Sequence, residues 1–274
     1  MNTIQKSFAA FTLAAVLGAV CPGNAQADPA LAAAVAGSHR TPAFAARDTW
    51  RHPIETLTFF GIQPQMTVVE ISPGGGWYTE ILAPYLRDKG QLTLAADDPQ
   101  SGVAYYRRSA ERLAAKLAAQ LAVYDRVRVL PFEVPRKTAL GEPASADLVL
   151  TFRNVHNWAA EGEAAVLQVF KNVYAVLKPG GVFGVVDHRL PTSQAQDAKA
   201  SSGYVHEAYV TRLALAAGLR LEAASEVNAN PKDSANHPSG VWALPPTYGN
   251  KDRDRARFEA IGESDRFTLK FVKP

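Results

Sequence analysis

Three consecutive glycines sit where a buried strand should hand over to a helix. The stretch is "VVEISPGGGWYTEIL", Val68 to Leu82. Apolar and β-favouring residues run into Glu70, Ser-Pro follows, and an amphipathic run begins at Trp77. An ordinary strand–helix turn does not need three adjacent residues without a Cβ, whereas a loop whose bare backbone lies against a ligand does. The stretch therefore predicts a βα unit with a ligand at the strand's carboxyl end.

The rest of the chain fits that unit. "HPIETLTFFGIQP" places Pro53 at a helix start and Gly61 just beyond its end. After the glycine loop, "QLTLAA" reads as a second strand ending at Asp97 and Asp98. A helix over roughly 102–121 would align Tyr106, Ala110, Leu113, Leu117 and Leu121 on one face. "RVRVLPF" and "ADLVLTF" are further strands, and 160–177 repeats the helical pattern. "LKPGG" is expected to break that helix before the strand "VFGVVDH". A helix near 204–217, a strand near 219–227 and a last strand "RFTLKFVKP" follow, with a proline- and charge-rich insertion at 228–264. Strands that alternate with helices and are apolar throughout imply an α/β fold, a mostly parallel sheet with helices on both faces.

Residues 1–27 are set apart from this fold. Lys6, the apolar run "SFAAFTLAAVLGAV" and alanines at 25 and 27 have the order of a signal peptide cleaved before Asp28. Removal costs one lysine and no acid, so the mature net charge falls from +3 to +2, and the only cysteine, Cys21, is lost. A thiol-free chain suits an oxidising compartment, which makes a periplasmic or secreted location the expectation. So small a charge argues against general nucleic-acid affinity, and no second apolar span suggests stable membrane insertion. Residues 28–61 form the expected N-terminal arm or lid, in which Trp50, Arg51 and His52 could close over a ligand.

Which ligand the loop holds can be narrowed. A Walker phosphate loop needs Lys-Ser/Thr after its last glycine, and Trp77-Tyr78 stand there instead. A dinucleotide fingerprint asks for a third glycine where Thr79 stands, and Glu70 would repel a pyrophosphate. A carboxylate beside the loop suits a ligand with an ammonium group. S-adenosylmethionine has that group, a sulfonium, a carboxylate suited to backbone N–H groups, and a ribose needing an acceptor at the second strand's end. Asp97 stands 21 residues beyond Gly76, near the distance a βαβ unit requires, with Asp98 as the neighbouring alternative.

At this point the chain resembles class I S-adenosylmethionine-dependent methyltransferases. The resemblance rests on "VVEISPGGGW", with Ser72 at the family's first glycine position, "LAADD", "ADLVLTFRNVHNW" and "VLKPGGVFGVVDH". It covers roughly 62–190 and implies a Rossmann-like, seven-stranded sheet whose last strand is antiparallel. It also implies cofactor contacts from Glu70, Ser72, Gly74, Gly75, Gly76, Asp97 or Asp98, Glu133 near adenine, and Arg153. "RHPIETLTFFGI" and "NPKD…DRFTLKFVKP" look like a bacterial group of exported methyltransferases.

"RNVHNW", after the fourth strand, resembles the His-Asp-Trp segment of small-molecule O-methyltransferases, with His156 at the general base and Asn157 at the aspartate. Asn154 and His188 are further catalytic candidates, and Asp187 with His188 could form a simple strand-end pair. No His/Asp/Glu spacing marks a metal site. The expectation is methyl transfer to a small molecule, with no nucleic-acid partner. The alternatives are an exported, non-catalytic binding module that keeps the fold, and a nicotinamide oxidoreductase, against which Glu70 and Thr79 argue.

Overall fold

The computed structural model describes residues 28–274; the expected signal segment lies outside them. Seven strands form one sheet in the order β3-β2-β1-β4-β5-β7-β6. They are β1 (Thr67–Ile71), β2 (Gln91–Asp97), β3 (Arg128–Phe132), β4 (Ala146–Phe152), β5 (Leu177–His188), β6 (Arg220–Ser225) and β7 (Arg266–Val272). β1 to β5 pair in parallel, whereas β7 runs antiparallel between β5 and β6. The expected Rossmann-like sheet with an antiparallel last strand is the one observed. The order reverses between β1 and β4, and the crevice at their carboxyl ends is where ligands of open α/β sheets bind.

One face of the sheet is covered by the arm and the first crossovers. The arm holds α1 (Pro29–Val35), α2 (Pro42–Ala45), α3 (Asp48–Arg51) and α4 (Pro53–Phe60). α4 begins at Pro53 and ends at Gly61, in the left-handed conformation that glycine adopts at no steric cost. Leu31, Leu57 and Phe60 of the arm pack with Ile81 and Leu82 of α5 (Thr79–Leu86). The arm is thus part of the core on this face. α6 (Ala104–Ala119) is mostly solvated and buries only Ser109 and Leu113. The single helix expected over 102–121 breaks at Gln120 into α6 and α7 (Leu121–Tyr124), leaving Leu121 exposed.

The other face carries α8 (Val155–Ala159), α9 (Glu163–Val176) and α10 (Glu207–Ala216). Val166, Phe170 and Val173 bury the 3.6-residue stripe of α9 against Phe183 and Phe271. Each such side chain removed from water contributes about 1.5–3 kcal/mol. "LKPGG" does not precede β5 but belongs to it, as an irregular start where the register with β4 shifts. The 228–264 insertion is mostly loop, with a short 3₁₀ turn (Gly240–Ala243) and α11 (Arg255–Ile261). Phe258 anchors the mixed-charge run inward.

Candidate active site

The site begins where β1 ends. Glu70 is buried, and its carboxylate accepts a 2.7 Å hydrogen bond from Thr79 Oγ1. Thr79 thus fills the place of a third glycine with a donor that orients Glu70. Burial pushes the Glu70 carboxyl up to about 7, with the Thr79 bond opposing the shift. Ser72 follows with φ +52° and Gly74 with φ +58°, both left-handed. A Cβ built on Gly74 would meet nothing within 4 Å, so the backbone there faces open space. Gly75 is exposed beside Phe44, but Gly76 turns inward against Lys116 and Thr79. Only the first two glycines therefore offer their main chain to a ligand, and Gly76 serves the turn.

Three adjoining cavities lie along this rim. The largest, about 410 Å³, is lined by Ser72 and Gly74 at one end and by Asp97, Tyr106, Phe132 and Glu133 at the other. Burial raises the Asp97 carboxyl above its usual range, and Ser109 opposes this. Asp98 does not line the cavity; its carboxylate is engaged by Lys137 and the Gln100 amide. Glu133 does line it and pairs with Arg136. The second cavity, about 340 Å³, brings Glu70, Gly74, Gly75 and Trp77 together with Arg51 and Arg153. The cradle fits an amino-acid nucleoside: an acceptor at the β2 end, bare main chain in the middle, and a buried carboxylate beyond.

Asn154 is placed differently from expectation. Its amide nitrogen donates to the Ile71 and Ser72 carbonyls and to Thr151 Oγ1, at 3.1, 3.2 and 3.0 Å. It staples the end of β1 to the end of β4 and so positions the loop, with no donor left for chemistry. Arg153, just before it, sits at φ +64°.

The third cavity, about 250 Å³, holds His156, His188, Arg153, Trp242 and Glu263. Asp187 at the end of β5 is fully buried and lies 2.8 Å from His156 Nδ1. It also accepts from the His156 and His188 amides. The Nδ1–H bond leaves the Nε2 lone pair of His156 for the cavity. Asn157, expected at the aspartate position, is exposed; the partner carboxylate comes from β5 instead. No spacing rule joins residues 31 apart, but "VVDH" at a strand's carboxyl end was the available signal. Desolvation, with His156, Arg153 and Arg266 nearby, holds His188 well below the usual imidazole range.

His156, Asp187 and His188 each offer one ligand atom within 4.8 Å of the others, a proximity that sequence spacing did not show. Arg153 and Arg266 act on His188. A divalent cation there would be repelled by their guanidinium groups. The trio is better matched to handling a proton.

No family model matches the sequence, and no curated protein sequence matches it. Solved structures do. A SAM-dependent methyltransferase from Aquifex aeolicus is 16% identical with a TM-score of 0.55, over 84% of this chain and 93% of that one. The fold is a methyltransferase fold. A protein titled a sarcosine dimethylglycine methyltransferase, from Galdieria sulphuraria, is 18% identical with a TM-score of 0.56, over 84% and 86% of the two chains. The cyclase SpnF is 15% identical with a TM-score of 0.54, over 89% and 92%. The last shows that this fold also serves proteins named for other chemistry, so function must be argued from the site.

Proposed function

We propose that this protein catalyses S-adenosylmethionine-dependent methyl transfer to a small-molecule acceptor, at oxygen, with His156 as general base. The observation that carries this reading is the continuity of the rim. Asp97, the Gly74–Gly75 main chain and Glu70 line one path, which leads by way of Arg153 to the His156–Asp187 pair. S-adenosylmethionine would supply an electrophilic methyl carbon on its sulfonium.

The chain's own residues supply the rest. Asp97 is placed to accept hydrogen bonds from a ribose, and Glu70 to attract an ammonium group. Asn154 keeps the loop in register with β4, which fixes donor against acceptor. Asp187 holds His156 in the tautomer whose Nε2 can take the acceptor's hydroxyl proton, and then stabilises the imidazolium. His188, kept neutral, adds no competing charge.

Calorimetry of residues 28–274 with S-adenosylmethionine and S-adenosylhomocysteine tests the proposal; binding of both is expected. No heat with either would favour the exported module that keeps the fold without the reaction. The order of charge, apolar run and small residues in 1–27 supports export, as in the bacterial group that the sequence resembles. An intact mass beginning at Asp28 in the periplasmic or secreted fraction is the expected result. No described helix is long and apolar enough to cross a membrane.

A further inference from the structure

Glu263, contributed by the 228–264 insertion, is shared by too many cations. Arg47 Nε lies 2.6 Å from it, Arg51 Nε 3.1 Å, Arg266 Nη1 2.9 Å and Arg153 Nη1 4.0 Å. Four guanidinium groups thus converge on one carboxylate. Asp187, the other carboxylate acting on Arg153, is committed to His156. Buried charge is costly unless it is paired and its donors are satisfied.

The donors are not all satisfied. Arg51 is 2% exposed and lies against the Trp77 ring, and its Nη1 has no hydrogen-bond partner among the described residues. Arg266, 3% exposed, leaves Nε unpaired in the same way. Arg153 is pushed down to about 10, first by desolvation, with Arg266 and Arg47 adding to the effect and Glu263 opposing it. Arg47, Arg51 and Arg153 all line the cavity that holds His156. Four guanidinium groups against Glu263 and the Asp187 carboxylate, whose charge a neutral His156 does not cancel, leave two positive charges in excess, and with an orphaned buried donor they call for an anion at that place.

We propose that the acceptor is a small carboxylate, held by Arg47, Arg51 and Arg153, with its hydroxyl presented to Nε2 of His156. This rests on the methyltransferase reading and adds the acceptor's chemical class. Arg47, Arg51 and Arg153 also line the second cavity, so one of them could meet the cofactor's own carboxylate. That group neutralises one of the two excess charges, and the other remains for an acceptor beside His156. The same charges favour the oxyanion that forms as His156 takes the proton. Trp242, 38% exposed with its ring 6.2 Å from that of His156, gives the anion's organic part an apolar wall.

Benzoate and benzamide, nearly equal in shape and different in charge, are suitable probes. Line-broadening NMR with the protein saturated in S-adenosylhomocysteine should show benzoate binding at least tenfold tighter than benzamide. Arg153→Met and Arg47→Met should each remove that preference, and Arg153→Lys should restore part of it. Arg47, one-fifth exposed, gives a readout should Arg153→Met not fold. Equal binding of the two probes, no binding of either, or benzoate displaced by S-adenosylhomocysteine would overturn the inference. A benzoate preference in a protein that does not take up S-adenosylhomocysteine would instead retain the anion site and remove the methyltransferase reading.

Discussion

Glu70→Gln should make the protein more stable and less able to bind its cofactor. Glu70 is buried at the sheet rim with its carboxyl raised from 4.5 to about 7. The folded state therefore holds this proton more tightly than the unfolded chain does. The resulting stability is fully present below pH 4.5 and is lost as pH rises through 7. Over 2.5 units the loss amounts to about 3 kcal/mol at pH 8. Glutamine has no charge to desolvate and keeps an oxygen for Thr79 Oγ1, but its NH₂ group has no assured partner, which offsets about 1–2 kcal/mol. A net gain of about 1–2 kcal/mol at pH 8, or roughly 2–8 °C in Tm, is expected, vanishing near pH 5. Binding should move oppositely. A ligand's ammonium group selects the ionised form, so wild-type affinity for S-adenosylhomocysteine should fall about tenfold from pH 8 to pH 6. Glu70→Gln should bind at least tenfold more weakly at pH 8 and flatten that profile. Thermal denaturation from pH 5 to 8 and calorimetry read both arms. A variant that melts lower than wild type at pH 8 and binds equally well would refute the reasoning.

Gly74→Val puts a β-branched residue at φ +58° and fills the open side of the loop. It should cost about 1–3 kcal/mol in denaturant titration and abolish S-adenosylhomocysteine heat. Asp97→Ala removes the acceptor at the end of β2 and should weaken that binding about tenfold in calorimetry, with little change in Tm. Asp187→Asn disturbs the His156 tautomer and should lower methyl transfer by about 10²–10⁴ while leaving cofactor affinity within twofold. Ser72→Gly relieves a left-handed serine and should raise stability by about 0.5–1 kcal/mol with cofactor affinity unchanged.

Much of the fold was legible because its signals are local. Continuous apolar strands, Pro53 and Gly61 around α4, and the glycine loop each report their own neighbourhood. The misses have physical causes too. β5 absorbs "LKPGG" because its Gly-Gly can run irregularly along β4 once the sheet supplies partners. Leu121 faces solvent because the helix breaks one residue earlier, at Gln120. At the site, Glu70 and Asp97 were visible as acidic residues closing strands. Asp187 as the partner of His156, and Glu263 as the hub of four arginines, were not. Apart from Arg266, three residues from Glu263, each depends on groups brought together across 31 to more than 200 residues, which no periodicity encodes.

The cost of this arrangement is concentrated at one rim. Ser72 and Arg153, both left-handed, directly follow the ends of β1 and β4, which lie side by side in the sheet. Each adds strain of about 1–2 kcal/mol that a glycine would avoid. Asn154 holds both strand ends in register, with two bonds to β1-end carbonyls and one to Thr151. Between them stand a buried carboxyl poised near neutrality and a guanidinium with an orphaned donor. A stable core gains nothing from the strain, the buried carboxyl or the unpaired donor, and ligands of the proposed chemistry would offset the last two. A ligand with an ammonium group for Glu70 and a second with a carboxylate for Arg51 and Arg153 would neutralise the charges and cover the exposed backbone. Local destabilisation gathered where strands end, and complementary in sign to two ligands at once, is what the proposed reaction of two substrates at one rim requires.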